Sequence, residues 1–458
     1  MHPKTGQLEL VLSGWGEAPG DQQSGETGRA EYEDERSGNS RQLMERAVAR
    51  ENAVEALKRV RRNKGSPGID GMTVDELTPY LHENWLVIRE QLLAGTYQPS
   101  EVKRVLIPKS GGGMRQLGIP TVLDRFVQQL ILQVLQPIFD PTFSEHSHGF
   151  RPGRRAHDAV RKAQQYIQDG YRWVADVDLE KFFDRVNHDV LMGKLQNRIE
   201  DRRMLRMIHR YLKAGIMADG VVVERYEGTP QGGPLSPLLA NVLLDEVDKE
   251  LERRGHRFVR YADDCNVYVP SKRSGERVMR VLSKLYAKLR LRVNEGKSAV
   301  ARVWDRKFLG YSFWVAPGKK VKCRVAPKAL EELKQTVREM TSRSGGRSLP
   351  QVCETLGRYL RGWKEYFKLA ETPGVFASLD GWLHRRLRAL HLKQWKRGRT
   401  TYRELRKCGL PEWLAVMGAG FGQRWWRAAA NGALQTALPG EYFERLGIPR
   451  LAATTSTH

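Results

Sequence analysis

The sequence predicts an α+β fold, with strands and helices mixed from about residue 96 to 315 and helices alone beyond. Three observations carry this reading. Residues 258–269, FVRYADDCNVYV, set β-branched and aromatic arms about Ala262-Asp263-Asp264, the pattern of two strands joined by a tight turn. Trp173, Val174 and Val177 form a second short apolar run that meets Asp176 and Asp178. From Pro327 onward, apolar residues recur at every third or fourth position, the period of a helix that faces a core.

Taken in order, residues 1–40 hold 3 basic residues, 8 acidic residues and seven glycines. So acidic and glycine-rich a stretch forms a poor core, and we expect a disordered acidic arm. The arm lacks the basic start, apolar stretch and small-residue cleavage site of a signal peptide. Residues 41–95 read as a helical N-terminal extension, broken by the turn Gly65-Ser66-Pro67-Gly68. Within the mixed region 96–315, Leu195, Ile199, Met204, Ile208 and Leu212 mark amphipathic helices between 190 and 213. Residues 316–400 read as three helices: KALEELKQTVREM, one with Leu356, Tyr359, Leu360, Trp363 and Phe367 on a single face, and GWLHRRLRALHLKQWKR. Residues 401–458 read as a small basic appendage with Arg403, Arg406, Lys407, Arg424, Arg427 and the pair Trp425-Trp426.

Charge narrows the class of partner. The 458 residues carry 77 Lys+Arg against 53 Asp+Glu, a net +24, and the isoelectric point is about 10.0. Such an excess favours phosphate-bearing polymers, because neutralising phosphates releases counterions. Residues 315–458 alone hold 27 basic and 11 acidic residues, and six of the eleven tryptophans. We expect the apolar stripe of these helices to be core. The opposite faces, with Arg358, Arg361, Lys364, Arg385, Arg386, Arg388, Lys393, Lys396, Arg397 and Arg399, exceed what solubility requires and read as a nucleic-acid surface. No run of 18 apolar residues occurs, so no membrane span is expected. Cys265, Cys323, Cys353 and Cys408 lie far apart without a CxxC pair, which argues against zinc and for reduced thiols in a cytoplasmic setting.

The acids carry the chemistry. Adjacent carboxylates repel, and a core strand holds them only where a cation cancels the charge. Mg²⁺ suits hard oxygen ligands shared with substrate phosphates. A strand-borne Asp beside a hairpin-borne Asp pair is the ligand set for two such ions roughly 3.5–4 Å apart, one activating a 3′-hydroxyl and the other steadying pyrophosphate.

In the order of its motifs the chain resembles the reverse transcriptases encoded by bacterial group II introns. RRNKGSPGIDGMTVDEL (61–77) is similar to their N-terminal extension motif. VKRVLIPKSGGGMRQLGIPTVLDRFVQQLIL (102–132) resembles the first polymerase block, FSEHSHGFRPGRRAHDAV (143–160) the second, and the strand with Asp178 the third. EGTPQGGPLSPLLANVLLDEVDKEL (227–251), YADD, LRVNEGKSAV (291–300) and RKFLGYSFW (306–314) resemble the remaining four. The wording DLEKFFDRVNHD and RYADDCNVYV is nearest to the group IIC branch.

The resemblance implies a right-hand polymerase, with fingers and a palm built on an antiparallel sheet, followed by a helical thumb or maturase domain. It implies Asp178, Asp263 and Asp264 as catalytic, metal-binding residues with two Mg²⁺ ions. Lys109 and Arg115 would grip the incoming triphosphate, Gln231 would support nucleotide and template, and Lys297 would lie near the pyrophosphate. Phe183, five residues after Asp178, would exclude a ribose 2′-hydroxyl, with its neighbour Phe182 in the core. The implied activity is RNA-directed DNA synthesis with intron splicing support. The implied partners are group II intron RNA, an RNA template with a DNA primer, deoxynucleoside triphosphates and target DNA. Many relatives end in an HNH nuclease domain. The stretch after the third helix has one cysteine and no histidine before His458, and so would not assemble that metal site. Two rivals remain. One is a reverse transcriptase of a retron, diversity-generating or CRISPR-associated system; the missing VTG tripeptide counts against a retron. The other is a splicing cofactor with a dead polymerase, against which the intact YADD and Asp178 stand.

Overall fold

The computed structural model describes residues 42–108, 113–218, 221–223, 227–229, 232–343, 345–421 and 424–452. The acidic arm, Lys109 and Gln231 lie outside these residues. The chain divides into two compact units, one up to Arg302 and one from Val303 on. This division precedes residue 315, where the sequence suggested a boundary. The cause is local: Tyr311, in the first strand beyond it, stacks near Tyr366 and Phe367 of the helices that follow.

The first unit opens with α1 (Leu43–Ala47), α2 (Arg50–Asn63) and α3 (Leu77–Ala94). α2 buries Ala53, Ala56, Leu57 and Val60, one face at helical spacing, and α3 ends at Gly95 in the left-handed conformation (φ 66°) that favours glycine. A small sheet runs in the order β2-β1-β4-β5: β1 (Val102–Pro108) and β2 (Met114–Ile119) form an antiparallel hairpin, β4 (Ile216–Ala218) joins parallel, and β5 (Val221–Val223) pairs antiparallel with β4. Thr121 caps α4 (Val122–Phe139) by accepting from the Asp124 amide at 3.0 Å, and the helix then buries Phe126, Val127, Leu130, Ile131, Val134 and Leu135.

Behind it lie α5 (Ala156–Gln168), β3 (Trp173–Val177), α6 (His188–Gln196) and α7 (Arg202–Lys213). The amphipathic stretch 190–213 thus splits in two where Asp201 caps α7, and all five apolar residues that predicted it are buried. After α8 (Ser236–Arg253), the strands β6 (Arg257–Tyr261), β7 (Asp264–Val269) and β8 (Ala299–Arg302) complete a sheet of order β6-β7-β3-β8, every neighbour antiparallel. α9 (Lys272–Lys288) packs on β3, β7 and β8, and α5 packs on β6 and β7. One continuous core joins the α9 side of this sheet to the N-terminal helices.

The second unit begins with an antiparallel hairpin, β9 (Tyr311–Val315) and β10 (Val321–Val325). Three helices follow: α10 (Pro327–Met340), α11 (Leu349–Tyr366) and α12 (Pro373–Trp395). Leu356, Leu360, Trp363 and Phe367 are buried, so the stripe is core, as its spacing implied. α12 starts earlier than the predicted 381, because Pro373 at its first turn donates no amide and fits there without loss. α13 (Gly398–Lys407), α14 (Glu412–Ala419), α15 (Trp425–Ala428), α16 (Gly432–Ala437) and α17 (Gly440–Arg445) complete it. Among the described residues no helix is long and apolar enough to cross a membrane.

Candidate active site and nucleic-acid interface

The central sheet brings the sequence-predicted acids to one end. β3 pairs with β7 up to Val177↔Cys265, so the next residue on each side is Asp178 and Asp264. Tyr261 pairs with Asp264 across a two-residue turn, Ala262-Asp263, and Ala262 takes the left-handed φ of 58° that this turn needs. Asp178 is clasped from the other side. Its amide donates to Ser298 Oγ at 3.0 Å, and its carbonyl accepts from the Asn294 amide at 2.8 Å. Lys297 Nζ stands 3.8 Å from Asp178 Oδ1, which places the predicted pyrophosphate lysine beside a predicted catalytic acid. Asp176, the alternative ligand by spacing, faces Asn266 and Ala299 one pair deeper in the sheet. Among the described residues no three acidic, histidine or cysteine side chains form a ready metal cage. An oxygen-only donor set of this kind fits an ion that completes its shell from water and substrate phosphates.

The residues that hold the turn are the ones the motifs did not single out. Arg260, fully buried, donates Nη2 to Asp248 Oδ2 at 2.6 Å and Nη1 to both Asn241 Oδ1 (2.9 Å) and the Ala262 carbonyl (2.8 Å). The guanidinium therefore ties the Ala262-Asp263 turn to α8. Burial pushes the Asp248 carboxyl above its usual range and the Arg260 charge opposes that shift. Removing one partner of such a pair strands a buried charge, at a cost of about 3–5 kcal/mol. Gly149 lies against the turn so closely that a Cβ there would sit 2.2 Å from the Ala262 nitrogen, which no side chain tolerates. Asn241 Nδ2 holds the Gly149 carbonyl at 2.9 Å. Asp248 stands among the charged residues of DEVDKE (245–250), and only the fold singles it out as the partner of Arg260.

Phe182 and Phe183 lie in a short 3₁₀ turn, Phe182–Asp184. Phe182 is buried, while Phe183 is half-exposed and meets it edge to face with centroids 5.1 Å apart. The Phe183 carbonyl accepts from the Thr229 amide at 2.7 Å, so the segment before Gln231 fixes the aromatic pair. A Cβ on Gly228 (φ 92°) would meet the Asp184 and Phe183 carbonyls at about 3 Å, so the approach requires glycine. Arg115 sits opposite Ile107 in the β1–β2 hairpin.

In the second unit the predicted basic face separates into two groups. Arg358, Lys396, Arg397 and Arg399 are exposed and Lys393 is half-exposed. The others serve the fold as well. Arg361 donates to the Gly447 carbonyl at 2.8 Å and Lys364 to the Arg450 carbonyl at 2.7 Å. Arg385 holds the Trp426 carbonyl, and Arg386 donates to Thr341 Oγ1 at 2.9 Å. Arg388 corrects the expectation: it is buried and donates to the Leu438 carbonyl at 2.9 Å, because its side of α12 is covered by the C-terminal segment.

Comparison with known proteins matches residues 107–313 to the family described as reverse transcriptase (RNA-dependent DNA polymerase), and residues 330–409 to the group II intron, maturase-specific domain. Protein YkfC of Escherichia coli (strain K12) is 40% identical over 207 residues, 44% of this chain and 54% of that protein. Group II intron-encoded protein LtrA of Lactococcus lactis subsp. cremoris is 38% identical over 195 residues, 42% of this chain and 32% of LtrA. The match spans about half the length of the one and a third of the other. A chain of a partial Cas6-RT-Cas1–Cas2 complex aligns at 25% identity over 54% of this chain and 42% of its own, with a TM-score of 0.36. The chain thus carries a reverse transcriptase domain followed by a group II intron maturase-specific domain, in the order that the motifs implied.

Proposed function

We propose that the chain is an RNA-directed DNA polymerase and intron maturase, which binds group II intron RNA to support splicing and copies RNA into DNA during intron insertion. The observation that carries this reading is the placement of Asp178, Asp263 and Asp264 at one end of the β6-β7-β3-β8 sheet. Asp178 and Asp264 would hold Mg²⁺ with Asp263, and the bound ions would supply Lewis-acid activation of a primer 3′-hydroxyl and charge relief at the leaving pyrophosphate. Arg260 keeps the turn rigid against the mutual repulsion of its acids. Lys297, beside Asp178, would meet the phosphates, and Lys109 and Arg115 would grip the same triphosphate. The Phe183 ring would stand under the sugar of the incoming nucleotide. Deoxynucleoside triphosphates, a DNA primer on an RNA template, and a DNA target complete the set of partners. The exposed cations of the second unit supply the charge for structured RNA, recognised through backbone and shape.

The test is the double variant Asp263→Asn, Asp264→Asn. Mg²⁺-dependent extension of a DNA primer on an RNA template should disappear, by a factor of at least ~10³ for losing the metal chemistry, while RNA binding persists. Extension at a comparable rate would overturn the assignment.

A further inference from the structure

Away from Asp178, Asp263 and Asp264, the second unit gathers like charges around partly exposed indoles. Two adjoining chambers, of about 250 and 550 Å³, are both lined by Arg338, Arg343, Arg386 and Thr341. Trp382 and Trp426 wall the smaller chamber, and Lys393 and Trp425 the larger. Among the described residues no carboxylate lines either one. Cations brought this close without a counter-charge repel, and an anion that enters relieves the repulsion.

The arrangement is held in place before any ligand arrives. Arg386 Nε donates to Thr341 Oγ1 at 2.9 Å, and its Nη2 reaches the Arg338 carbonyl at 3.4 Å. Burial, and then the charges of Arg338 and Arg343, push its guanidinium below its ordinary value. Arg385 lies 4.3 Å from the Trp426 centroid and also holds that residue's carbonyl. The Trp426 ring, 39% exposed, is therefore fixed on one side by a cation. A fixed aromatic plane beside a preorganised arginine suits one base and its phosphate. Paired RNA keeps its bases stacked on each other and cannot offer such a base, whereas a bulge or loop can.

We propose that these chambers form a pocket for a single extrahelical ribonucleotide of structured RNA, its phosphate on Arg386, Arg343 and Lys393 and its base against Trp426. The inference rests on the reading of the second unit as RNA-binding, and it names the element recognised there. Such a pocket would let the protein find a particular bulge in a folded intron among many helices of similar shape.

The experiment uses the full chain and three fluorescein-labelled probes: an RNA hairpin with one bulged nucleotide, the same hairpin fully paired, and a DNA primer on an RNA template. In fluorescence anisotropy the bulged hairpin should bind about tenfold more tightly than the paired one, the value of one base–aromatic stack. Arg343→Gln with Lys393→Gln, and separately Trp426→Leu, should each reduce the bulged hairpin to the affinity of the paired one. Equal binding of both hairpins by the unaltered protein, or a preference that survives both variants, overturns the pocket. Preferential binding of the primer–template over the bulged hairpin overturns it too, by assigning the cations to the polymerase substrate. Primer extension by the unaltered protein judges the polymerase reading separately: extension without bulge preference sinks the pocket alone, and bulge preference without extension sinks the polymerase alone.

Discussion

At the scale of single residues, the acids were legible and their supports were not. Asp178, Asp263 and Asp264 stand out because charge inside a β-branched run is chemically costly. Arg260, Asp248, Asn241 and Gly149 do the holding, yet each is unremarkable in its own segment, and only the folded chain sets Arg260 against Asp248 at 2.6 Å. Phe183 shows the same limit from the other side. Phe182 is buried and Phe183 half-exposed, but this follows from a 3₁₀ turn that the sequence does not announce. Its half-exposed ring leads to a prediction. Phe183→Val should raise ribonucleotide incorporation relative to deoxynucleotide by roughly tenfold or more, on the order of the 1–3 kcal/mol that one contact in a pocket discriminates. Single-nucleotide extension with each triphosphate measures the ratio. An unchanged ratio in an active variant would make the ring a packing residue only.

At the scale of elements, periodicity located the helices well and misjudged their ends and attachments. The 190–213 stretch was seen as helical, but the break at Asp201 depends on a carboxylate that also accepts the Met44 amide at 3.0 Å, a contact 157 residues away in sequence. The basic appendage was read as separate from the preceding helices, whereas its last described residues are strapped to them. Asp380 accepts the amides of Leu451 and Ala452, both at 2.9 Å, and a Cβ on Gly357 would stand 2.2 Å from the Gly447 carbonyl. Lys364 and Arg361 hold the same strap, which is why two of the cations expected to meet RNA carry a structural duty. Asp380→Ala removes two charge-assisted acceptors and should cost about 2–4 kcal/mol. Limited proteolysis should then release the C-terminal segment well before the rest of the chain, with α11 and α12 still protected. Unchanged cleavage kinetics would show that the strap is held by its apolar contacts instead.

At the scale of the whole molecule, composition announced a phosphate-binding protein, and the net +24 predicts binding that weakens as salt rises. Two histidines set a second, independent response to solution conditions. His148 is buried, and among the described residues neither ring nitrogen has a hydrogen-bond partner; burial first, then the charges of Arg154, His146 and Arg151, lower it to about 4, with Asp158 opposing them. His391 is likewise pushed down to about 4, by burial first. Both bind a proton more readily in the unfolded chain, where histidine titrates near 6.5. Their contribution to stability is therefore complete above about pH 6.5 and is lost progressively as pH falls toward 4. The thermal midpoint should be several degrees lower at pH 5.0 than at pH 7.5, and His148→Gln should flatten that dependence. A steeper dependence in the variant would reverse the assignment.

The buried guanidinium under the Ala262-Asp263 turn has a consequence for how the protein can be stored and handled. In many small metalloproteins the ion is the keystone, and removing it lets the domain fall apart. Here Arg260 supplies positive charge from beneath, through Asp248, Asn241 and the Ala262 carbonyl, and every one of those contacts belongs to the polypeptide. The support of the turn thus needs no ion, so the chain should survive preparation and freezing without divalent ions. Treatment with a chelator should extinguish DNA synthesis, leave the unfolding curve in place within about 1 °C, and be fully reversed by added Mg²⁺. A melting curve that collapses in the chelator would mean that the ions, and not the arginine, hold the turn together.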